Sequence, residues 1–243
     1  MEVRLFTLLN IWWLVGSALC LAPAWAQGVS AGTLLERAKA AHGGAALSNL
    51  RTYQETATLT TFQVGQPEHT LSVVSYVDFK AERLRIEYRD GRTLIQVIQF
   101  SPQAAQSWSA QRGTQPLGAE LAQDLRNGLY QNWYGLRLGS KGRQEMQLEG
   151  EQTFADVTGL TVRVRTQGAT TTYLFDSQGR LRAERTDNSQ GRTTVVYGDL
   201  KSVEGVLIPF QARLYANGAL FAEAKIKEAR VNPPLGPATW KMP

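Results

Sequence analysis

The sequence predicts a mainly β protein of the α+β class, with about ten or eleven strands in one strongly curved antiparallel sheet and two helices. Three observations support this prediction. Apolar and polar residues alternate in many runs from residue 51 onward, which is typical of strands that bury one face. The connections between these runs are short and carry turn residues, which favours antiparallel neighbours. Two stretches show helical spacing, too few for an α/β protein.

The first helix is predicted to begin near Thr33 and to end at His42-Gly43-Gly44. Thr33 and Glu36 have the spacing of a capping box, and glycine readily adopts the left-handed conformation found at helix ends. His42 is therefore expected to cap the helix or to lie on the surface. His69, in a predicted hairpin tip, is expected to be exposed.

The clearest predicted strand carries Leu84, Ile86 and Tyr88 on one face and charged residues on the other. Asp90-Gly91 follows it and is a hairpin turn signal, and residues 93–100 are predicted to return as the next strand. This alternation predicts that one face of the sheet is buried.

The middle helix is predicted from Leu117, Leu121, Leu125 and Leu129, which recur every fourth residue, with Trp133 continuing the same apolar stripe. The stripe has two interpretations that are compatible with each other. It packs against the sheet as core, or it forms a movable cover over an apolar cavity.

Residues 1–26 have the pattern of a secretory signal peptide. Arg4 precedes an apolar run over residues 5–20, and Ala24-Trp25-Ala26 is a small-x-small cleavage signal. The apolar run is short for a membrane anchor, and the large Leu19 before the single cysteine disfavours a lipoprotein signal. Cleavage near Ala26 predicts a single mature domain, residues 27–243, outside the cytoplasm and without a thiol.

Composition excludes several function classes. The 243 residues carry 26 Lys and Arg, 21 Asp and Glu and a net charge of +5, but acidic residues interrupt most of the arginine runs. We therefore expect solvated strand faces and, given export, no nucleic acid partner. One Cys and two His cannot supply a structural zinc site or a disulfide framework. No nucleophile elbow or zinc-protease motif occurs, so we expect no enzyme, no metal and no cofactor.

Motifs near both ends of the chain resemble a known family. Ala40-Ala41-His42-Gly43-Gly44 ends the first predicted helix. Tyr197-Gly198-Asp199-Leu200 precedes an acidic-Gly turn and a Pro-containing strand at 203–209, and Val231-Asn232-Pro233 precedes the ending Trp240-Lys241-Met242-Pro243. These motifs, together with the order of helices and strands, resemble the bacterial periplasmic lipoprotein-carrier family, whose fold is shared by LolA, LolB and RseB.

The resemblance implies a half-open antiparallel β-barrel whose concave apolar face is covered by helices. Such a cavity would accept the acyl chains of a lipoprotein or another lipid. We expect a monomeric periplasmic carrier of lipid or of a lipidated protein, with an inner- or outer-membrane protein as a further partner. The alternative is a sensing module without catalysis, in which the concave face receives a partner peptide and lipid only regulates it.

Nine side chains are expected to line this cavity, because they lie on the apolar faces of the predicted strands and middle helix. For each of them a filled core is the alternative, since sequence patterning does not distinguish an empty cavity from a packed one. These candidates are Leu59, Leu84, Ile86, Tyr88, Trp108, Leu121, Leu125, Tyr173 and Phe175.

Overall fold

The structure of the chain is a computed structural model that describes residues 29–62, 68–167, 169–188 and 191–243. The predicted signal peptide, residues 1–26, lies outside these ranges. Within them, no helix combines the length and the apolar character that crossing a membrane requires.

The described residues form one sheet of thirteen strands with three α-helices and two short 3-10 helices. The helices are α1 (Ala31–Ala41), α2 (Ala45–Ser48) and α3 (Ala119–Gly128), and the 3-10 helices are Trp133–Leu138 and Pro237–Trp240. The strands are β1 (Thr52–Thr61), β2 (His69–Asp78), β3 (Arg83–Asp90), β4 (Thr93–Ser101), β5 (Ala104–Ser109), β6 (Gly113–Pro116), β7 (Glu145–Phe154), β8 (Val157–Thr166), β9 (Ala169–Phe175), β10 (Leu181–Asn188), β11 (Gly191–Val203), β12 (Val206–Ala216) and β13 (Ala219–Val231).

The sheet is open, and all of its strand pairs are antiparallel. Strands β1 to β6 form one meander and β7 to β13 form a second, while the pairing of β1 with β13 joins them into the order β6-β5-β4-β3-β2-β1-β13-β12-β11-β10-β9-β8-β7. The first and last strands therefore lie in the middle of the sheet, and β6 and β7 form its edges. The predicted mainly β class is confirmed.

The predicted number of strands is too low, since the described residues contain thirteen rather than ten or eleven. The four-residue edge strand β6 carries the sequence Gly113-Thr114-Gln115-Pro116, which has no apolar alternation. It pairs with β5 alone, and its proline is tolerated at an edge because no outer strand needs its missing N–H.

One continuous core lies between the helices and one face of the sheet, which we call the inner face. Leu84 and Phe100 from the first meander and Tyr173 and Phe175 from the second belong to the same buried cluster as Leu35 of α1. Side chains from both halves of the sheet meet in this cluster, so the sheet curves around the helices.

Helix α1 begins earlier than the predicted capping box. Ser30 is the N-cap, and its Oγ accepts a hydrogen bond from the Thr33 N–H at 3.1 Å. Glu36 instead reaches away from the helix and accepts from the Ser140 N–H at 2.7 Å and from the Ser140 hydroxyl at 2.6 Å. These bonds hold the pKa of the Glu36 carboxyl below its usual value and attach α1 to the segment after the first 3-10 helix.

His42 caps α1, as one alternative predicted, but it is fully buried and not on the surface. Its Nε2 accepts a hydrogen bond from the Leu181 N–H at 2.9 Å, so the ring proton lies on Nδ1, which donates to the Leu207 carbonyl at 2.8 Å. Burial lowers the pKa of His42 and keeps the ring neutral. The histidine thus connects the end of α1 to β10 and β12.

Gly43 allows this close contact between helix and sheet. Its φ is +118°, and a Cβ at this position would lie 2.3 Å from the Gly205 carbonyl oxygen in the β11–β12 turn. A side chain here would therefore separate α1 from the sheet.

We predict that His42→Ala lowers the free energy of unfolding by about 2–4 kcal/mol, because two buried hydrogen bonds are lost and the Leu181 N–H is left without a partner. Urea unfolding at pH 7.5 measures this change. The matched control is His69→Ala, because His69 is exposed on β2 and its replacement should change stability by less than about 0.5 kcal/mol. Equal effects of the two substitutions would contradict the role of His42.

Candidate ligand cavity

A cavity of about 390 Å³ lies between the inner face of the central strands and the segment formed by α3 and the start of the first 3-10 helix. Its volume falls in the range of small-molecule sites in proteins. Strands β1, β2, β3, β11, β12 and β13 form the wall and floor, so the cavity occupies the middle of the sheet, where the two meanders join.

The cavity wall is mainly apolar because alternate residues of neighbouring strands share the inner face. Val77 pairs with Leu84, and Ala57 pairs with Ile226 across the β1–β13 junction. Twelve apolar side chains line the cavity: Ala57, Val77, Leu84, Ile86, Leu125, Trp133, Val195, Pro209, Ala212, Leu214, Ala224 and Ile226.

Helix α3 forms an incomplete cover over this cavity. Leu125 faces the cavity, but α3 contains no buried residue, and its N-cap Gly118 provides no side-chain capping bond. Its C-terminal end leads into Leu129 and Trp133, which are 1% and 4% exposed. The end of α3 therefore leads into the core, while the helix itself covers the cavity without a buried residue of its own.

Three predicted residues, Leu84, Ile86 and Leu125, line the cavity. Leu59 and Tyr88 share the inner face with them, since Leu59 pairs with Leu71 and Tyr88 with Val73, but neither lines the cavity.

Tyr173 and Phe175 are fully buried in the packed core and not in the cavity. The first 3-10 helix covers them closely, because a Cβ on Gly135 would lie 2.7 Å from the Tyr173 hydroxyl. Leu121 lies one turn before Leu125 on the same stripe of α3, but it is 38% exposed and does not line the cavity.

Trp108 lies on the opposite face of the sheet from the cavity. It pairs with Val97, which in turn pairs with Glu87, whereas Leu84 and Ile86 alternate with Glu87 along β3. The strand register therefore places Trp108 away from the cavity, contrary to the expectation. The short run around Trp108 has no clear alternation, so the sequence alone does not define this register.

The sequence analysis missed a carboxyl group on the cavity wall. Glu55 lies between Tyr53 and Ala57 on the inner face of β1, and its Oε2 accepts a hydrogen bond from the Tyr53 hydroxyl at 2.9 Å. Ser75, its cross-strand neighbour, also bonds to it. Burial raises the pKa of Glu55 despite these bonds. The signal was present in the sequence, because Glu55 is in phase with the apolar positions of β1.

A second carboxyl group lies just behind the wall. Glu184 is 2% exposed and contacts the Tyr197 hydroxyl and the Asn132 backbone N–H, but its Oε2 has no hydrogen-bond partner among the described residues. Burial raises its pKa to about 7. Asn132 Nδ2 also donates to the Tyr134 hydroxyl at 2.9 Å, so a polar network adjoins the apolar cavity.

The described residues include no group of three His, Cys, Asp or Glu side chains that could hold a metal ion. The arrangement combines apolar area with isolated carboxyl groups, which suits binding of an amphiphilic molecule.

We predict that Glu184 makes the protein less stable as pH rises. Its pKa is raised in the folded state, so between about pH 4.5 and 7 the unfolded chain has lost this proton while the folded protein retains it. Glu184→Gln should match the wild type near pH 4.5 and exceed its free energy of unfolding by about 3 kcal/mol at pH 8.

Urea unfolding of both proteins from pH 4.5 to 8 tests this prediction. His42 has a lowered pKa, so its effect on stability with pH is opposite to that of Glu184. It is present in both proteins, and its effect therefore cancels when their free energies of unfolding are subtracted. If the two free energies of unfolding differed by the same amount at every pH, Glu184 would not be the cause of the lower stability at high pH.

Comparisons with solved structures identify the fold. A LolA superfamily protein from Nitrosomonas europaea is 14% identical, with a TM-score of 0.59, and the match covers 88% of this chain and 98% of that one. A DUF1329 family protein from Desulfovibrio piger is 12% identical, with a TM-score of 0.58 and coverage of 87% and 95%. An outer membrane lipoprotein-sorting protein domain from Vibrio parahaemolyticus is 10% identical, with a TM-score of 0.56 and coverage of 87% and 97%.

No protein-family model matches the chain, and no curated protein is similar to it in sequence. The likeness to the solved structures extends over nearly the whole length of each and is a likeness of fold, since the identities are low. The chain has a LolA-like fold.

Proposed function

We propose that this protein is an extracytoplasmic carrier that holds the apolar part of a lipid, or of a lipidated protein, in the cavity under α3. The single observation that carries the proposal is an apolar cavity of about 390 Å³ in the middle of the sheet, beneath a helix that has no buried residue. The LolA-like fold supports it, since one solved structure of this fold is a lipoprotein-sorting protein domain. The signal-peptide pattern of residues 1–26 supports a location outside the cytoplasm.

Burial of hydrocarbon supplies the affinity that such a carrier needs. Each methylene group moved from water into the cavity contributes roughly 0.8 kcal/mol. Binding also costs several kcal/mol in lost freedom of motion, so a chain of about twelve carbons is needed for useful affinity. The carrier works by binding and release and makes or breaks no covalent bond.

Movement of α3 would provide access to the cavity. The Arg126 guanidinium lies 3.6 Å from the Glu82 carboxylate, and both side chains are partly exposed, so this ion pair contributes little to holding the helix down. Leu129 and Trp133 keep the C-terminal end of the segment in the core. The first turns of α3 can therefore tilt outward while its end stays fixed.

We predict that the protein purified from its native envelope carries bound lipid. Mass spectrometry of an organic extract should detect about one amphiphile per protein chain. The protein should also take up the neutral apolar fluorophore N-phenyl-1-naphthylamine once it has been delipidated. An extract free of lipid, together with no uptake of the fluorophore, would contradict the proposal. Pull-down of one stoichiometric membrane protein by a lipid-free chain would instead favour the sensing module.

We predict that Leu125→Asp reduces fluorophore uptake by at least about tenfold, because it places a charge on the apolar wall, which is costly to bury. Leu121→Asp is the matched control, since Leu121 lies one turn earlier on the same stripe of α3 but is exposed and does not line the cavity. It should retain uptake within about threefold. Circular dichroism and urea unfolding verify that both variants fold. Equal uptake by Leu125→Asp and wild type would contradict the role of α3 as a cover.

A further inference from the structure

We infer that the ligand of this cavity carries a hydrogen-bond-donating polar end, with a cationic amine preferred, and that amphiphiles with an anionic carboxylate or phosphate end are disfavoured. This inference rests on the proposed function and specifies the substrate class of the same cavity.

The first support is the position of Glu55. Its carboxyl group is part of the cavity wall, between the apolar rows formed by Tyr53 with Val77 and by Ala57 with Val73. Tyr53 and Ser75 donate to it, but two donors do not saturate the lone pairs of a carboxylate. It can therefore accept a further hydrogen bond from a ligand in the cavity.

The second support is the network behind the wall. Tyr134 also lines the cavity, and its hydroxyl lies within the electrostatic influence of both Glu55 and Glu184. The Tyr134 hydroxyl oxygen accepts a hydrogen bond from Asn132 Nδ2 at 2.9 Å. Glu184 adds a second buried acid with an oxygen that has no hydrogen-bond partner among the described residues. The two acids therefore give this end of the cavity an electrostatic preference for positive charge.

The third support is the sign of the charged groups at the cavity. Its lining includes Glu55 and Asp124 but no Lys, Arg or His among the described residues. Arg137, on the adjoining 3-10 helix, is half-buried, donates to the backbone carbonyls of Leu129 and Tyr134 at 2.9 and 3.0 Å and stacks on Phe79. No positive side chain of the lining would balance an anionic ligand.

The physical consequence is selectivity for the polar end of the ligand. An ammonium group beside Glu55 forms a charge-assisted hydrogen bond in a low-dielectric site, where such bonds are strong. A carboxylate in the same place must be buried without a cation, next to acidic groups, at a large cost. A neutral hydroxyl gains a hydrogen bond without charge and should bind with intermediate affinity.

Three amphiphiles with the same twelve-carbon chain test this inference: dodecylamine, dodecanol and dodecanoate, each below its micelle concentration or its solubility limit. Their affinities are measured at pH 7.5 by displacement of the neutral fluorophore from the delipidated protein. The wild type should bind dodecylamine at least about tenfold more tightly than dodecanoate, with dodecanol between them. Glu55→Gln should weaken dodecylamine binding about tenfold and change dodecanol binding less than about threefold.

Glu151→Gln is the matched control, because Glu151 is exposed on the edge strand β7 and its replacement changes net charge equally. It should preserve the wild-type order of affinities. If Glu55→Gln fails to fold, the order in which the wild type binds the three amphiphiles decides whether the inference holds.

Binding of dodecanoate as tightly as dodecylamine would overturn the inference while leaving the proposed carrier function intact. An unchanged preference for dodecylamine in folded Glu55→Gln would overturn it as well. Failure of all three amphiphiles to bind would overturn the proposed function and, with it, this inference.

Discussion

The structure depends on one constraint: the inner face of a single open sheet is larger than its few short helices can cover. Helix α1 and the 3-10 helix Trp133–Leu138 pack on one part of this face, where Tyr173 and Phe175 lie fully buried. Over the central strands the cover is α3, which has no buried residue. The cavity follows from this imbalance, because apolar strand residues there face a helix that does not fill the space above them.

The attachments between sheet and helices keep this arrangement in place. His42 connects α1 to two strands as a neutral ring, and Glu36 connects α1 to Ser140. These bonds fix α1 and the segment at Ser140, the part of the helical cover that stays packed on the sheet. In contrast, Glu55 and Glu184 are acids whose burial raises the pKa of each carboxyl group and costs stability. Buried acids of this kind are expected at sites of function.

The sequence was sufficient for the mainly β fold class. Period-two alternation identified most strands, and the structure places the candidates Leu84, Ile86 and Leu125, whose elements have clear periodicity, on the cavity lining. Trp108 was misplaced because strand register depends on pairing across the sheet, which local pattern does not specify.

Tyr173 and Phe175 show a second limit of sequence reasoning. They have the same inward orientation as the cavity residues, and whether such a position is packed or empty depends on which helix lies above it. Glu55 was detectable as an acid at an inward position of β1, but its significance depends on the neighbouring strands. His42 was underestimated, since its two partners are 139 and 165 residues away in the chain.

The most direct test of the central claim, that the space under α3 receives an apolar chain, is a crystal structure of the delipidated protein with 12-bromododecan-1-ol. The anomalous signal of bromine locates the end of the chain independently of side-chain interpretation. The account predicts a bromine peak inside the cavity, within about 4 Å of apolar side chains such as Leu84, Leu125 or Ile226. Bromine peaks on the outer surface alone, with the cavity closed by collapsed side chains, would contradict it.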